Sequence, residues 1–238
     1  MMDDYGLILQ DSKIRNIKYL HYQFIPEKHE YLNIEDGAGA AYYRPFAHVV
    51  IMTCYLIFRN NVFGYHFVNC VLFLFCAMAI YSLIQRLFHD RECAWLVTLL
   101  YVAHPLNGLF VNYITASGFA IQMIAMAGSM ILFLKVFEQQ RNALTLLFSL
   151  VLYALGLLCH ETTLALPFYM FVTVWLFEKR PYQRAFFLLS PYIILTLGYL
   201  FFRFQYASLR SNVIDKLLHS GITAMSFVAS NIKLFFWY

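Results

Sequence analysis

Residues 62–87 read VFGYHFVNCVLFLFCAMAIYSLIQRL, and this stretch decides the fold. It contains no Asp, Glu, Lys or Arg before Arg86. A helix that crosses the hydrocarbon core of a bilayer needs about 20 predominantly apolar residues. The stretch is long enough to meet that requirement, and we therefore predict a transmembrane helix here.

Further apolar runs lie on both sides of this stretch, separated by short charged clusters. They cover residues 46–58, 93–103, 119–137, 143–158, 162–177, 185–202 and 221–238. Most approach the length of a spanning helix, whereas 46–58 has the length of an interfacial segment. The chain is 13% charged, whereas a soluble domain is typically about 25% charged. We predict an all-α, polytopic transmembrane helix bundle of about seven spanning helices plus a juxtamembrane helix, which excludes a soluble domain.

The charged clusters predict how the bundle is oriented. Lys and Arg in short loops favour the cytoplasmic side, so the strongest cluster, at residues 178–184, is placed in the cytoplasm. Counting helices backwards then puts His104 and the pair His160-Glu161 outside. The Lys and Arg are dispersed and the net charge is only +4, so the composition does not indicate a nucleic-acid partner.

The polar N-terminal segment suggests a division of the chain into three parts. Residues 1–45 would form an extracytoplasmic loop, 46–61 the juxtamembrane helix and 62–238 the bundle. If 46–58 spanned the membrane, the N-terminal segment would be cytoplasmic, but the short length favours the interface. Because nothing upstream anchors an external loop, and the chain ends inside an apolar run, we expect a fragment that lacks a first transmembrane helix and is truncated at its C-terminus.

Ionisable groups near membrane depth are costly and are often functional. Four polar features lie on the side predicted to be outside: Asp3-Asp4, Tyr42-Tyr43-Arg44-Pro45, His104-Pro105 and His160-Glu161. Glu161 stands between two apolar runs with no adjacent Lys or Arg, so its partner must come from elsewhere. Each feature also has a structural interpretation: a solvated terminus, a proline that begins a helix, a kink, and a helix-end pair in water. The sequence contains no HExxH spacing that would indicate a metal site.

The order of these features resembles that of the C-type (GT-C) membrane glycosyltransferases, which depend on polyprenyl-phosphate carriers. It is most similar to the protein O-mannosyltransferase-like branch that often carries tetratricopeptide repeats. The opening DDYGLIL resembles the acidic pair after that family's first helix, and SKIR and YYRPF fit its first external loop. GYHFVN, LYVAHP and CHET resemble its Phe-His-x-x-Asn, Phe-Ala-x-His-Pro and Lys-Glu-Thr elements. The resemblance covers residues 1 to about 181.

Members of this family move a sugar from a polyprenyl-phosphate carrier to an acceptor on the extracytoplasmic face. The resemblance implies that Asp3 is the general base, which takes a proton from the acceptor hydroxyl. It further implies that Asp4 orients Asp3 or binds the acceptor, and that Glu161 completes the catalytic pocket. No cofactor is certain, and the polyprenyl-phosphate sugar is the donor substrate.

The resemblance also implies a binding site for the donor. Arg44 would pair with the lipid phosphate, since a guanidinium matches phosphate oxygens bidentately. Tyr43, His104 and His160 are the other candidate substrate-binding residues. The partners would be the lipid-linked sugar donor, a protein or glycan acceptor and the lipid bilayer. The expected location is a bacterial inner membrane with the site facing the periplasm, with the endoplasmic reticulum membrane as the alternative.

The chain departs from the family at two positions. Family members commonly carry an arginine and then an acid in the second external loop, where residues 112–119 here read NYITASGF. In addition, His160 stands where the family has lysine. A catalytically degenerate or non-enzymatic membrane subunit is therefore an alternative. A transporter is a further alternative, although transporters tend to have paired repeats with broken helices at the midplane, and the polar features here gather at one face.

Overall fold

The computed structural model describes residues 15–21, 24, 44–138, 143–177 and 182–208. Within these ranges the chain forms α-helices joined by short 3-10 turns, and the described residues contain no strand. The predicted all-α class is confirmed. The α-helices are α1 (Pro45–Phe58), α2 (Val62–Phe88), α3 (Arg91–Ala103), α4 (Leu109–Asn112), α5 (Ser117–Glu138), α6 (Ala143–Cys159), α7 (Leu166–Phe177) and α8 (Tyr182–Ser208).

The chain divides into two compact units. The first comprises Met1–Ile25 and Tyr42–Leu200, and it contains α1 to α7 and most of α8. The second comprises Pro26–Ala41 and Phe201–Tyr238, and its described residues are the C-terminal end of α8. The site lies in the first unit.

Local signals explain where the first helices begin and end. Pro45 is the first residue of α1, a position at which its missing N–H costs nothing. The side chain of Asn61 accepts a hydrogen bond from the backbone of Phe63 and begins α2, which ends where His89 takes a left-handed conformation. Asp90 then caps α3 by accepting from two backbone N–H groups, which would otherwise be unsatisfied.

Helices α5 and α6 form the centre of the bundle and run antiparallel. Their serines exchange hydrogen bonds: Ser129 Oγ donates to the carbonyl of Ser149, and Ser149 Oγ donates to the carbonyl of Ser129. A methyl group added at Gly156 would meet Ala125 at 3.7 Å. Small residues let helix backbones approach closely inside a membrane, so these positions explain the close contact of the two helices.

Helix α8 packs against this pair through buried hydroxyl groups. Tyr192 donates to Ser149 Oγ over 2.6 Å, and the hydroxyls of Tyr153 and Thr196 are 2.6 Å apart. The earlier residue of α6 contacts the earlier residue of α8, and the later one contacts the later one, so α6 and α8 run parallel. In an apolar environment hydroxyls need such partners.

In the part of the chain that the structure describes, three helical segments are long and apolar enough to cross a membrane: Val62–Phe88, Ile114–Glu138 and Gln183–Arg203. A fourth candidate combines Arg91–Ala103 with Pro105–Asn112, which are bent by 62° at His104. Large apolar side chains on these helices point outward, and Phe187, for example, is 78% exposed. The chain is an integral membrane helix bundle. The count of seven spanning helices stays a prediction, and the run at residues 221–238 lies outside the described residues.

The run predicted at residues 162–177 is not one continuous α-helix. Residues Glu161–Ala165 form a 3-10 helix, and α7 begins only at Leu166. Pro167, the second residue of α7, has no N–H to donate to a preceding turn, and proline is favoured at a helix start. The break therefore follows from the sequence around Pro167, and it separates His160 and Glu161 from the regular helix.

Contacts along α2 and α5 show that these two helices run parallel. Asn69, near the start of α2, donates to the carbonyl of Tyr113, just before α5, and Arg86, near the end of α2, pairs with Glu138, the last residue of α5. We call the end of the bundle where α1, α2 and α5 begin the Arg44 end. The opposite end, where α2 and α5 terminate, is called the Arg86 end.

Candidate functional site

Arg44 and Glu161 form a two-point ion pair at the Arg44 end. Nε of Arg44 donates to Oε2 of Glu161 over 3.0 Å, and Nη2 donates to Oε1 over 2.8 Å. The two residues are 117 positions apart in the sequence. Their side chains are 23% and 21% exposed, so the pair lies at the edge of the protein interior. Glu161, which has no basic neighbour in the sequence, thus finds its partner in Arg44.

His160 contacts the same guanidinium. Its Nε2 lies 2.8 Å from Nη2 of Arg44, and the residue is only 8% exposed. On its other side, Nδ1 of His160 lies 3.0 Å from Oγ1 of Thr162. Because α6 ends at Cys159 and the 3-10 helix begins at Glu161, the break between the helices turns both His160 and Glu161 toward Arg44.

Phe119, in the first turn of α5, forms an aromatic side of the site. The centroid of its ring lies 4.4 Å from that of the His160 imidazole, and Cζ of Arg44 lies 5.8 Å from the ring centroid. A guanidinium within about 6 Å of an aromatic ring is attracted to its face. Two separate segments of the chain therefore contact the guanidinium of Arg44, which precedes α1: the start of α5 and the break after α6.

The ion pair changes the acidity of Glu161. Burial raises the pKa of its carboxyl, but the hydrogen bonds from Arg44, a backbone hydrogen bond and the positive charge nearby outweigh that cost and lower the pKa to about 2. A carboxyl with this pKa is ionised at neutral pH and is a weak base. Glu161 is therefore better suited to hold a cation than to accept a proton during a reaction.

The position of Arg44 depends on how closely α1 approaches α5. Arg44 immediately precedes Pro45, the first residue of α1. A Cβ atom added at Gly118 would lie 2.7 Å from Cβ of Ala47 and 4.0 Å from the carbonyl oxygen of Cys159. Only glycine leaves room for this contact, and the contact sets the distance between the start of α1 and the break that carries Glu161.

The GYHFVN motif holds the loop beside the site. His66 donates through Nδ1 to the carbonyl of Val111 over 2.9 Å, and Asn69 donates through Nδ2 to the carbonyl of Tyr113 over 2.7 Å. Asn69 is 2% exposed, so its hydrogen bond is made in the protein interior. The two polar residues of the motif thus fix the backbone that connects α4 with α5.

The predicted site residues fall into three groups. Arg44, His160 and Glu161 are brought together. His104 is exposed, and its Nδ1 accepts from the backbone N–H of Leu106 over 3.3 Å; among the described residues it makes no hydrogen bond to the other three. Asp3, Asp4 and Tyr43 lie outside the described residues, so their roles stay predictions, as do the catalytic and binding roles of the others.

Three residues of the site were not among the predicted ones: Phe119, Gln122 and Thr162. Gln122 donates through Nε2 to Oγ1 of Thr162. A signal for Gln122 existed, because it is an isolated amide in the apolar run at 119–137, and polar side chains in such runs commonly bond to another helix. Phe119 is one of many phenylalanines, and the sequence offers no sign that distinguishes it.

No group of three or more His, Cys, Asp or Glu residues in the described part of the chain could hold a metal ion. The polar atoms that converge at the site are a guanidinium, an imidazole and a carboxylate. A guanidinium suits a phosphate or carboxylate ligand. The site therefore has the chemistry to bind an anionic group at an end of the bundle.

Comparison with protein families gives one match. Residues 44–205 match the family described as dolichyl-phosphate-mannose-protein mannosyltransferase. No curated protein and no solved structure matches the chain. The closer assignment to a branch with tetratricopeptide repeats stays a prediction. The matched region covers well over half of the 238 residues and includes Arg44, His160 and Glu161, and the chain therefore belongs to this family of C-type, polyprenyl-phosphate-dependent membrane glycosyltransferases.

Proposed function

We propose that the chain transfers a hexose, with mannose as the first candidate, from a polyprenyl-phosphate carrier to a hydroxyl group of a protein or glycan on the extracytoplasmic face. The observation that carries this proposal is the convergence of Arg44, His160 and Glu161 at one end of the bundle. Two segments that are remote in sequence, the start of α1 and the break after α6, bring one cation and its hydrogen-bonding neighbours together. The family of this chain uses a lipid phosphate as the leaving group.

In the proposed reaction the oxygen of the acceptor attacks the anomeric carbon of the sugar. The bond between that carbon and the phosphate oxygen breaks, and the polyprenyl phosphate leaves with the bonding electrons. Arg44 binds the phosphate and stabilises the negative charge that develops on it. Preorganised groups of this kind are worth about 10²–10³-fold in rate.

The acceptor proton goes to a general base, and the family resemblance assigns this role to Asp3, with Asp4 beside it. A positioned base contributes about 10²–10⁴-fold. The lowered pKa of Glu161 supports a role for Glu161 as a counter-ion and not as the general base. Glu161 holds Arg44 in place as its counter-ion, and the proton transfer is left to another carboxylate.

The location of the reaction is part of the proposal. The site lies at a helix end, which favours an aqueous membrane boundary where a lipid phosphate and a polar acceptor can both reach it. We propose a bacterial inner membrane with the site facing the periplasm, and the alternative is the endoplasmic reticulum. The length of the preferred carrier distinguishes the two, because bacterial carriers are undecaprenyl chains and dolichyl chains are longer.

The test uses the purified chain reconstituted into liposomes with undecaprenyl- or dolichyl-phosphate mannose and a serine- and threonine-rich peptide. We expect transfer to the peptide, and we expect Arg44→Ala to lower kcat/KM by about 10²-fold or more. Arg86→Ala, which removes the arginine of the ion pair at the other end, is the matched control and retains transfer. Asp3→Asn tests the assigned base and is expected to be inactive.

Two outcomes would overturn the proposal. If the wild-type chain binds the carrier but neither transfers nor hydrolyses the sugar, the degenerate membrane subunit is the better interpretation. If the carrier crosses the bilayer with its sugar attached and no sugar is released, the transporter is the better interpretation. If transfer is equally fast in Arg44→Ala and in the wild type, the proposed activity stands, but the assignment of Arg44 to its site is rejected.

A further inference from the structure

A chain of side-chain contacts runs from the interior of α5 to the guanidinium of Arg44. Gln122 donates to Thr162, Thr162 contacts His160, and His160 contacts Arg44. Gln122 is 3% exposed and belongs to the central helix of the bundle. Thr162 lies in the 3-10 helix Glu161–Ala165, in which backbone hydrogen-bond geometry is poorer than in an α-helix.

The contact with Arg44 determines the tautomer of His160. A guanidinium carries only donors, so Nε2 of His160, 2.8 Å from Nη2 of Arg44, must be the acceptor. The proton of the neutral imidazole is therefore on Nδ1, which donates to Oγ1 of Thr162 over 3.0 Å. The backbone N–H of Thr162 also points to Nδ1, over 3.3 Å, in the cap of the 3-10 helix. This contact is longer than the one to Oγ1, and the proton that the contact with Arg44 places on Nδ1 leaves it without an acceptor.

The amide of Gln122 completes the chain. Its Nε2 also lies 3.4 Å from the sulfur of Met126, a weak acceptor, which favours the orientation with the NH₂ group toward both partners. Oγ1 of Thr162 thus accepts from Gln122 on one side and from His160 on the other. The amide and the imidazole therefore both donate to the hydroxyl oxygen of Thr162, and the guanidinium donates to Nε2 on the other side of the imidazole.

We infer that Gln122 is a positioning residue for donor binding: through Thr162 it keeps His160 in the Nδ1-protonated tautomer, whose Nε2 fixes the guanidinium of Arg44 for the lipid phosphate. This inference rests on the proposed function for the identity of the ligand. It adds Gln122 and Thr162 to the site, neither of which touches the donor in this role.

The first test measures the wild-type chain and uses a substitution only to assign one signal. Solid-state NMR of the ¹⁵N-histidine-labelled chain in liposomes reports the protonation of each ring nitrogen. The signal of His160 is assigned by its loss in His160→Gln. We expect protonated Nδ1 and unprotonated Nε2 at neutral pH. A His160 ring with its proton on Nε2 would overturn the inference.

The second test separates the hydrogen bonds from packing. Gln122→Met and Thr162→Val retain shape and remove the polar groups, and each is expected to raise KM for undecaprenyl-phosphate mannose about fivefold, the effect of one hydrogen bond. The KM for the acceptor peptide is expected to stay the same. Thr162→Ser restores a hydroxyl and should restore the wild-type KM. Gln85→Met makes the same change elsewhere on the bundle and is the control.

The outcomes distinguish this inference from the proposed function. If Gln122→Met and Thr162→Val keep the wild-type donor KM while Arg44→Ala loses transfer, the positioning chain is rejected and the function stands. If Thr162→Ser is as impaired as Thr162→Val, the effect comes from packing and the inference also fails. If Arg44→Ala binds and transfers normally, both the function of the site and the role of Gln122 are rejected.

Discussion

At the Arg44 end of the bundle, an arginine donates to both carboxylate oxygens of Glu161, and His160 and Phe119 contact the same guanidinium. At the Arg86 end, Nη2 of Arg86 contacts a single carboxylate oxygen of Glu138. Glu138 is the last residue of α5 and Arg86 lies in the last turn of α2. Each end therefore has an arginine–glutamate pair, but the two pairs have different surroundings.

The difference in surroundings distinguishes an ion pair that only stabilises helix packing from one that belongs to the candidate site. A carboxylate at a helix C-terminus is disfavoured by the helix dipole, whereas a cation there is favoured, so Arg86 neutralises Glu138 in a way that helix packing alone explains. Arg44 precedes α1, and Glu161 follows a helix break. A cation at the start of a helix is also disfavoured, so Glu161 neutralises Arg44 as well. The contacts of His160 and Phe119 with the guanidinium have no counterpart among the described contacts of Arg86, and they support the proposed ligand-binding role.

Removal of each glutamate gives the largest expected contrast. Glu161→Ala leaves Arg44 partly buried without its counter-ion, and loss of one partner of such a pair costs about 2–3 kcal/mol of unfolding free energy. Because Arg44 also loses its orientation, we expect transfer to fall about 10²-fold. Transfer is measured in liposomes, and the free energy of unfolding is measured by chemical unfolding.

Glu138→Ala is the matched control for that experiment. It removes the same kind of side chain at the opposite end, and we expect transfer to stay at the wild-type level. Equal losses of transfer in the two variants would show that the Arg44 end is no more a site than the Arg86 end, and the proposed difference between the two ends would be rejected.

Acid titration tests the same pair through stability. The pKa of Glu161 is lowered from 4.5 to about 2 in the folded chain. Its contribution is therefore fully present above the unfolded pKa and is lost as pH falls from about 4.5 to about 2; at 1.36 kcal/mol per pKa unit it is on the order of 3 kcal/mol. The difference in unfolding temperature between wild type and Glu161→Gln should be constant above pH 5 and shrink below it. A difference that shrinks between pH 7 and pH 5 would contradict the assignment.

The helices themselves were predictable because long apolar runs directly report a membrane environment. The run at 62–87 became Val62–Phe88 and that at 143–158 became Ala143–Cys159. That Glu161 needs a partner from elsewhere also followed from its surroundings in the sequence. The family resemblance assigned Arg44 and Glu161 to one site, but the direct ion pair between them did not follow from it, because that pair depends on how α1 packs against α5 and α6. The break after α6 was predicted at His160-Glu161, between the runs at 143–158 and 162–177. Its continuation as a 3-10 helix to Ala165 was not predicted, because apolar composition alone does not distinguish a 3-10 turn from an α-helix.

Gly118 tests how closely α1 must approach α5 at the Arg44 end. In Gly118→Ala the new Cβ would lie 2.7 Å from Cβ of Ala47, so α1 must shift and Arg44 moves with it. We expect a loss of about 1–3 kcal/mol of stability from overpacking and a higher KM for the lipid donor. Gly198→Ala, where nothing lies within 4 Å, is the control, and it should stabilise α8 by up to about 1 kcal/mol. If the two alanines behave alike, the approach of α1 does not position the site.

The smallest effect is expected for the coupling between Arg86 and Glu138. Their side chains are 26% and 32% exposed and share one described contact, and pairs at such positions are typically worth about 0–1 kcal/mol. A double-mutant cycle of Arg86→Ala and Glu138→Ala on unfolding free energy should therefore give about 0.5 kcal/mol, and the cycle of Arg44→Ala and Glu161→Ala a larger value, since two charge-assisted hydrogen bonds are lost. Both cycles remove the same residue types, so differences in helix propensity cancel. Equal coupling energies would mean that the second hydrogen bond adds nothing to the Arg44–Glu161 pair, and the distinction between the two ends would then depend on transfer activity alone.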